Sequence, residues 1–406
     1  MAVVNFPNEI TASDFLQNHW QKCPLFMPGG LERELPALTS DELGWLATLE
    51  DVESRLIFTE RGCGACSYRI QHGPFENDEL SALPDTDWTL LVQDVEKHLP
   101  DFRAWLDCTD FVPDWRIDDL MVSFAAPGGS VGPHRDNYDV FLCQGEGKRE
   151  WQVATAALEV REVRIGELAL LEPFVADNRY IAAPDDVLYL PPGAPHWGIA
   201  LDACMTYSIG MRAPELVDLK RGLERLFPDA AWDDSRSTDE RPRQFYSDPD
   251  LQRTESLPGQ ISGQAVSRAR RSFPQLASLD PFRFLTLLGS VLTDPKAWLA
   301  PDQPDESGVN DLLQRISRGE NLLVHGMARL AWYAGDDGQV AFANGRSHRL
   351  LTTELPIMQQ LCRQRQLCPA VYSLLEGRDG DSGLLYWLLQ SGVLDFSDDA
   401  LRSHPD

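Results

Sequence analysis

Between residues 52 and 215 the chain alternates short apolar runs with turns rich in glycine, proline and aspartate. Runs such as SRLIFTE, DVFLCQGEG, REWQVA and DVLYLPPG have the length and composition of β-strands, and they lack the period of helices. Many short strands at close spacing are typical of an antiparallel barrel or sandwich. The pattern therefore predicts a β-rich domain in the first half of the chain.

Helical patterns flank this β-rich region. Amphipathic stretches at 11–30 and 38–50 predict short helices, with Thr11 or Ser13 capping the first and Ser40 capping the second. Helical spacing returns at 214–227 and, interrupted near its prolines, at 267–299.

The last hundred residues mix helical runs with two hairpin-like turns, GDDGQ and NGR. Helices beside a small hairpin are compatible with a winged helix. The stretch PDQPDESG at 301–308 has the composition of a linker. These changes of pattern predict an α+β chain of three domains, at residues 1–214, 215–305 and 306–406.

Charge narrows the range of partners. The 406 residues include 63 acidic and 36 basic ones, which gives a formal net charge of -27. Binding nucleic acid through a broad surface needs clustered lysine and arginine, so we expect no direct nucleic-acid binding. The same holds for residues 306–406, where 13 acidic residues outnumber 9 basic ones. An acidic surface suits a basic protein partner, or it simply keeps the chain in solution.

Eight cysteines are scattered through the chain, several inside apolar runs, which is typical of reduced thiols. The CGAC stretch at 63–66 resembles half of a zinc site or a redox pair, but no second C-x-x-C accompanies it, so we interpret it as a turn with two thiols. No run of 18 apolar residues predicts a membrane helix, and the N-terminus has neither a basic nor a long apolar stretch. We expect a cytoplasmic protein with no membrane contact.

Two segments carry the candidate chemistry, VGPHRDNYDVFL and YLPPGAPHWG. In an extended segment His134 and Asp136 project to the same side, so both can bind one metal ion. His196 follows a Pro-Pro-Gly turn at the start of another predicted strand and is the candidate third ligand. Two histidines and one carboxylate form the facial triad of non-haem Fe(II) oxygenases, which leaves positions for a 2-oxo acid and dioxygen. The alternative is a pair of hydrogen-bonded histidines at strand ends.

A Lys-Arg pair in GEGKREW is the candidate anchor for an acidic cosubstrate. The distal carboxylate of 2-oxoglutarate needs a cation inside the barrel, and a guanidinium binds a carboxylate through two parallel hydrogen bonds. Because side chains alternate along a strand, only one of Lys148 and Arg149 can point inside. Ser123, Thr206 and Ser208 are strand hydroxyls that either bind the same acid or are only structural.

The residues around these motifs resemble a known family. The stretches DWRIDDLMVSFAAPGGSVGPHRDNYDVFLCQGEGKREW, DVLYLPPGAPHWG and YSIGMRAP are similar to segments of the JmjC-type ribosomal oxygenases, and most closely to their bacterial branch. The resemblance covers essentially the whole chain, including NHWQKCPL and FYSDPD. It implies a double-stranded β-helix barrel of the JmjC or cupin type in residues 1–214, a helical dimerisation domain in 215–305 and a winged-helix-like domain in 306–406.

The resemblance also implies roles for individual residues. The metal ligands of the family fall on His134, Asp136 and His196. Its 2-oxoglutarate arginine falls on Arg149, and a strand serine that helps to bind the cosubstrate falls on Ser123. The cofactors implied are Fe(II), 2-oxoglutarate and dioxygen, and the assembly implied is a homodimer formed by the middle helices.

The activity that the resemblance implies is hydroxylation of an arginine in a basic 50S large-subunit ribosomal protein, with L16 as the expected substrate. Asp118, Asp119, Asp139 and Tyr138 lie near the triad in the sequence and are candidates for receiving a cationic side chain. Two alternatives stay open. One is histidine hydroxylation or methyl-lysine demethylation at the same iron site, and the other is a non-catalytic acidic protein-binding module.

Overall fold

The computed structural model describes residues 6, 10–31, 34–61, 66–106, 109, 111–155, 161–165, 168–230, 243–255, 257–367 and 383–396. Contacts within the chain divide it into two units. The first unit comprises Met1–Phe111, Ile117–Arg212 and Pro249–Arg253, and the second comprises Val112–Arg116, Ala213–Asp248 and Thr254–Asp406. The division into three domains at residues 214 and 305 stays a prediction.

Short helices accompany the strands of the first unit. Those in its described part are α1 (Ala12–Asn18), α2 (Ser40–Leu46), α3 (Asn77–Ser81), α4 (Val95–His98) and α5 (Pro100–Leu106). Reciprocal hydrogen bonds between a threonine and an acidic residue three positions later begin α1 at Thr11 and α2 at Thr39. The prediction of Thr11 is confirmed. Ser40 is wrong as the cap of α2, because the hydroxyl that accepts from the Glu42 N–H belongs to Thr39.

The described strands of the first unit lie in the predicted β-rich region, except for the strand Leu25–Met27, which falls in the stretch 11–30 where the pattern predicts a helix. They are β1 (Leu25–Met27), β2 (Ser54–Arg61), β3 (Cys66–His72), β4 (Trp88–Val92), β5 (Ile117–Ala125), β6 (Val140–Glu146), β7 (Arg149–Val153), β8 (Arg161–Ile165), β9 (Leu168–Glu172), β10 (Asn178–Ala182), β11 (Val187–Leu190), β12 (His196–Ala200) and β13 (Cys204–Met211).

Two antiparallel sheets enclose the interior of this unit. Eight strands pair in the order β1-β11-β6-β13-β5-β4-β2-β3, and three pair in the order β10-β7-β12. One apolar core joins the two sheets, since Trp151 and Val153 of the smaller sheet pack with Leu142 and Leu188 of the larger one. The facing sheets therefore form the barrel that the sequence pattern predicts.

The second unit contains the remaining helices and strands. In its described part these are α6 (Leu216–Leu226), α7 (Gly263–Ser272), α8 (Pro281–Leu292), α9 (Glu306–Ser317), β14 (Leu322–Val324), β15 (Leu330–Gly335), β16 (Gly338–Ala343), β17 (Arg346–Arg349), α10 (Leu355–Gln364), β18 (Gln366–Leu367), α11 (Leu384–Gln390) and β19 (Leu394–Phe396). The helix predicted at 214–227 is α6, and the interrupted pattern at 267–299 contains most of α7 and all of α8.

Both predicted hairpin turns are confirmed. The GDDG turn joins β15 to β16, and Asn344-Gly345 joins β16 to β17. Asn344 and Gly345 both have positive φ, +45° and +76°, which is the backbone that a two-residue hairpin loop needs and that asparagine and glycine tolerate. The three strands form an antiparallel sheet of their own.

The cysteines in the described part of the chain are Cys23, Cys66, Cys143, Cys204 and Cys362, and none of these forms a disulfide. Cys66 begins β3, whereas Cys63 and the turn predicted for CGAC lie outside the described residues. A search of the described helices finds none with the length and apolar character needed to cross a lipid bilayer.

Candidate active site

Strand register decides which side chains line the barrel. In antiparallel pairs, directly opposed residues lie on the same face of the sheet. Ser123 on β5 opposes Thr206 on β13, which opposes Gln144 on β6. One step along, Met121 opposes Ser208, which opposes Leu142, and Leu142 belongs to the core between the two sheets. Ser123 and Thr206 therefore line the barrel interior.

The three predicted metal ligands meet at one end of this interior. His134 and His196 exchange backbone hydrogen bonds of 2.9 and 2.8 Å as an isolated antiparallel bridge, which brings their rings to a centroid distance of 4.2 Å. The backbone carbonyl of Asp136 accepts from the N–H of Gly193, in the turn before β12. One ligand atom from each of the three side chains lies within 4.8 Å of the others.

Hydrogen bonds to backbone carbonyls orient both imidazoles. The Nδ1 atom of His134 lies 2.9 Å from the Gly132 carbonyl, and the Nδ1 atom of His196 lies 2.9 Å from the Ala194 carbonyl. A carbonyl oxygen only accepts, so each Nδ1 carries the proton and each Nε2 presents a lone pair. Carbonyls that accept from the Nδ1–H and fix the tautomer in this way are usual for metal-binding histidines.

The donor atoms suit one metal ion. The Nε2 atoms of His134 and His196 lie 4.0 and 3.7 Å from Asp136 Oδ2, too far for hydrogen bonds. Both separations are below about twice a metal–ligand bond of about 2.1 Å, so a metal ion can contact Asp136 together with either histidine, and all three ligand atoms lie within 4.8 Å of one another. Two histidines and a carboxylate with further positions open match the donor set of non-haem Fe(II) sites.

Burial keeps one of these ligands neutral. His196 is 2% exposed, and desolvation together with the neighbouring His134 lowers the pKa of His196 to about 4, although Asp136 acts in the opposite direction. A metal ligand must be the neutral imidazole, so His196 is ready to bind a cation at neutral pH without first losing a proton.

Arg149 is the cation that points into the barrel, whereas Lys148 is exposed. The side chain of Arg149 is only 7% exposed, and its contacts are weak: Nη1 lies 3.4 Å from Ser123 Oγ and Nη2 lies 3.7 Å from Cys204 Sγ. Its Nε–H has no hydrogen-bond partner, and no carboxylate pairs with the guanidinium among the described residues. A buried charge without a counterion is unfavourable, so this position is suited to a ligand carboxylate.

Three residues around Arg149 were not predicted. Trp151, two positions along β7, lies 5.6 Å from the guanidinium carbon and 6.0 Å from the ring of His196. Gln144 is fully buried and accepts a hydrogen bond of 3.1 Å from the Thr206 hydroxyl. Cys204 begins β13 beside Arg149. The alternation in REW and the lone glutamine inside VFLCQ were available signals for the first two.

Comparison with known proteins identifies the family. Family models match a JmjC domain over residues 106–219 and a ROXA-like winged helix over residues 275–395. A ribosomal protein uL16 3-hydroxylase from Escherichia coli (strain K12) is 35% identical over 338 residues, which cover 82% of this chain and 84% of that protein. The chain belongs to the JmjC-type ribosomal oxygenases.

Solved structures of an E. coli ribosomal oxygenase, YcfD, agree with this assignment. One matches this oxygenase with a TM-score of 0.73 and 30% identity and covers 98% of this chain and 99% of its own. Another, a complex with cobalt and 2-oxoglutarate, has a TM-score of 0.65 and 29% identity and covers 97% of this chain and 100% of its own. The expected family, the JmjC-type barrel, the winged helix and the enzyme class are confirmed. The winged-helix match begins at 275, before the predicted boundary at 306.

An acidic mouth borders the metal-binding end of this oxygenase. We use that name for Asp118, Asp119, Asp136 and Tyr138. Asp119 opposes Gly210, where an added Cβ would lie 2.8 Å from Asp119 Oδ1 and 3.8 Å from the Tyr138 ring. The charge of Asp136, then burial, and then Asp119 and Asp118 raise the pKa of Tyr138, although the residue is 42% exposed. The three carboxylates make the local potential more negative, while Arg55 acts in the opposite direction.

The three carboxylates predicted to receive a cationic side chain, Asp118, Asp119 and Asp139, differ in their contacts. Asp118 pairs with Arg212 at 3.3 Å and stays partly exposed. The Gln93 amide is oriented so that its N–H donates to Asp119 at 2.7 Å and its oxygen accepts from Arg55 at 2.9 Å. Asp139 is fully buried, and its carboxylate accepts from the Tyr189 hydroxyl at 2.5 Å and from Gln21 at 2.9 Å. Asp139 is therefore a structural residue and not part of the mouth.

Proposed function

We propose that this protein is an Fe(II)- and 2-oxoglutarate-dependent hydroxylase of an arginine in ribosomal protein uL16. The observation that carries the chemistry is the combination of the His134–Asp136–His196 group with a buried, uncompensated Arg149 in the same barrel. The uL16 3-hydroxylase of E. coli, which is 35% identical, supports the choice of substrate protein.

Different residues of the barrel would bind the metal and the cosubstrate. His134, Asp136 and His196 would hold the iron, and Arg149 with Ser123 would orient the distal carboxylate of 2-oxoglutarate. Iron(II) with dioxygen and 2-oxoglutarate supplies the oxidation that converts a C–H bond to C–OH while 2-oxoglutarate becomes succinate and carbon dioxide. Trp151 packs between Arg149 and His196 and keeps water from the space between them.

The acidic mouth supports a cationic target side chain. Asp119 and Tyr138 lie beside the triad, where a carboxylate and an aromatic ring suit the fork of hydrogen bonds and the flat face of a guanidinium. The net charge of -27 favours the approach of a basic ribosomal protein. The mouth thus explains why an arginine would be preferred over a neutral side chain.

Intact-mass spectrometry of uL16 incubated with the protein, Fe(II) and 2-oxoglutarate tests the proposal. We expect a gain of one oxygen atom that maps to an arginine in peptide fragments. The His134→Ala variant is the control and should leave the mass of uL16 unchanged, because one of the three metal ligands is lost.

The alternatives give other outcomes in the same assay. Oxygen on a histidine would establish histidine hydroxylation, and loss of a methyl group with release of formaldehyde would establish demethylation. An unchanged mass with 2-oxoglutarate consumed would point to another substrate. An unchanged mass with no consumption would favour the non-catalytic binding module and contradict the proposed activity.

We further propose that residues 215–305 form a homodimer interface and that the protein acts in the cytoplasm, where ribosomal subunits assemble. Val217 and Trp298 lie in this range and are 40% and 57% exposed, so both side chains are available to a partner surface. Light scattering should give twice the mass of one chain. A monomeric mass across the micromolar range would contradict the dimer.

A further inference from the structure

A groove of about 370 Å³ lies on the first unit, away from the barrel interior. Its floor is the outer face of β4 and β5, where Trp88 and Phe124 pack with ring centroids 5.7 Å apart. Side chains alternate along β5, so Phe124 lies on the opposite face from Ser123 and the cosubstrate site. The walls are α2, which carries Trp45, and α3, which carries Leu80.

The groove is preformed and has an aromatic floor. The indole N–H of Trp88 donates to the Pro84 carbonyl at 2.6 Å, which fixes the orientation of that ring. Trp45 is 52% exposed at the edge of the groove, so its ring is available to a partner. Exposed, fixed aromatic rings around a concave surface are the usual anchor points of a binding partner.

The two segments that form the walls of the groove carry charge of one sign. Residues 34–54 include six acidic and no basic residues, and residues 73–88 include five acidic and no basic residues. These segments contain α2, α3 and the loop that leads to Trp88, and Asp41 itself lines the groove. A groove with an aromatic floor and acidic flanks attracts a basic segment and repels an acidic one, including a second copy of this chain with its net charge of -27.

We propose that this groove docks a basic segment of the substrate protein, remote from the residue that is hydroxylated. A lysine or arginine of that segment lies against the rings of Trp45 and Trp88, where a cation over an aromatic face is stabilised, and neighbouring cations face Asp41 and the acidic flanks. The identity of the partner rests on the proposed function. The groove would make the enzyme select the folded ribosomal protein over a short sequence around the target residue.

Direct binding of whole uL16 to the protein prepared without iron tests the docking site independently of turnover. For Trp45→Ser we expect a Kd about tenfold weaker than wild type, the usual size of effect for an exposed aromatic anchor. Ile181→Ser is the matched control, since Ile181 is 57% exposed on the same unit and lies outside the groove, and it should bind as wild type does. Thermal unfolding checks that both variants are folded.

A second variant and a second substrate separate the possible results. Asp41→Lys should also weaken binding, and the loss should shrink at high salt because it is electrostatic. With iron present, Trp45→Ser should raise the KM for whole uL16 about tenfold and leave turnover of a short target peptide unchanged. Wild-type affinity in both variants would overturn the docking site, whether or not uL16 is hydroxylated. Tight binding through the groove without hydroxylation would instead count against the proposed function alone.

Discussion

Asp136→Ala is expected to remove stoichiometric metal binding and to lower hydroxylation by more than about a hundredfold. Asp136 supplies the only negative charge among the three ligands, and it faces both Nε2 atoms, at 4.0 and 3.7 Å. Altering even the outer-shell partner of a metal ligand costs about 10- to 100-fold in affinity or activity, so losing a ligand itself should cost at least the upper value. The fold should survive, since this carboxylate is 23% exposed and faces the histidines at distances too long for hydrogen bonds.

Cobalt(II) titration followed by visible absorbance measures the effect directly, because it does not depend on turnover. Asp118→Ala is the matched control: it removes a carboxylate of the same mouth that pairs with Arg212 rather than with the histidines. The control should bind one cobalt per chain, as wild type does. One tightly bound cobalt in Asp136→Ala would mean that the ligand set differs from the one assigned.

The sequence predicts the triad because its geometry is local. His134 and Asp136 are two residues apart in an extended segment, and His196 begins a strand after a turn, so alternation and one turn signal suffice to place them. What local pattern cannot supply is the bridge that joins His134 to His196 across 62 residues. That pairing comes from backbone hydrogen bonds between residues 128–134 and the distant strand β12, and only the resemblance to a family predicted it.

Alternation along the strand does not decide whether Lys148 or Arg149 points into the barrel. The strand register shows that it is Arg149. Arg149 opposes Ala182 and Ala200 on the two neighbouring strands, small residues that leave room for a long side chain inside the barrel. Asp139 shows that closeness in the sequence can also mislead. Its place in the sequence beside the triad suggested a substrate contact, but the hydroxyl of Tyr189 and the amide of Gln21, both distant in sequence, bury it.

Strand β5 contributes side chains both to the barrel interior and to the proposed docking groove. Ser123 of β5 faces the barrel interior, where we propose that 2-oxoglutarate binds, while Phe124 faces the proposed docking groove, so one sheet separates the two. A substrate protein that occupies both sites must reach around the edge of the barrel. We therefore expect the folded protein, and not a short peptide, to use the full binding energy.

Arg149→Met is expected to weaken 2-oxoglutarate binding about a hundredfold and, in the absence of the cosubstrate, to raise the melting temperature. Both effects have one cause. The guanidinium is 7% exposed and has no counterion among the described residues. Its charge therefore destabilises the free protein and becomes favourable only when a ligand carboxylate binds. Losing one partner of a buried charge pair costs about 2–5 kcal/mol of binding energy, and replacing an uncompensated buried charge with an apolar chain of similar length is stabilising.

Titration calorimetry with 2-oxoglutarate tests the predicted loss of affinity, and thermal unfolding of the same samples tests the predicted rise in melting temperature. Arg149→Lys should recover only part of the affinity, because an ammonium lacks the planar fork that binds a carboxylate with two hydrogen bonds. Lys148→Met is the matched control, since Lys148 is exposed one position earlier, and it should change neither quantity. If Arg149→Met kept wild-type affinity, the distal carboxylate would bind elsewhere. If its melting temperature fell instead, Arg149 would be a structural residue whose weak contacts to Ser123 and Cys204 stabilise the barrel.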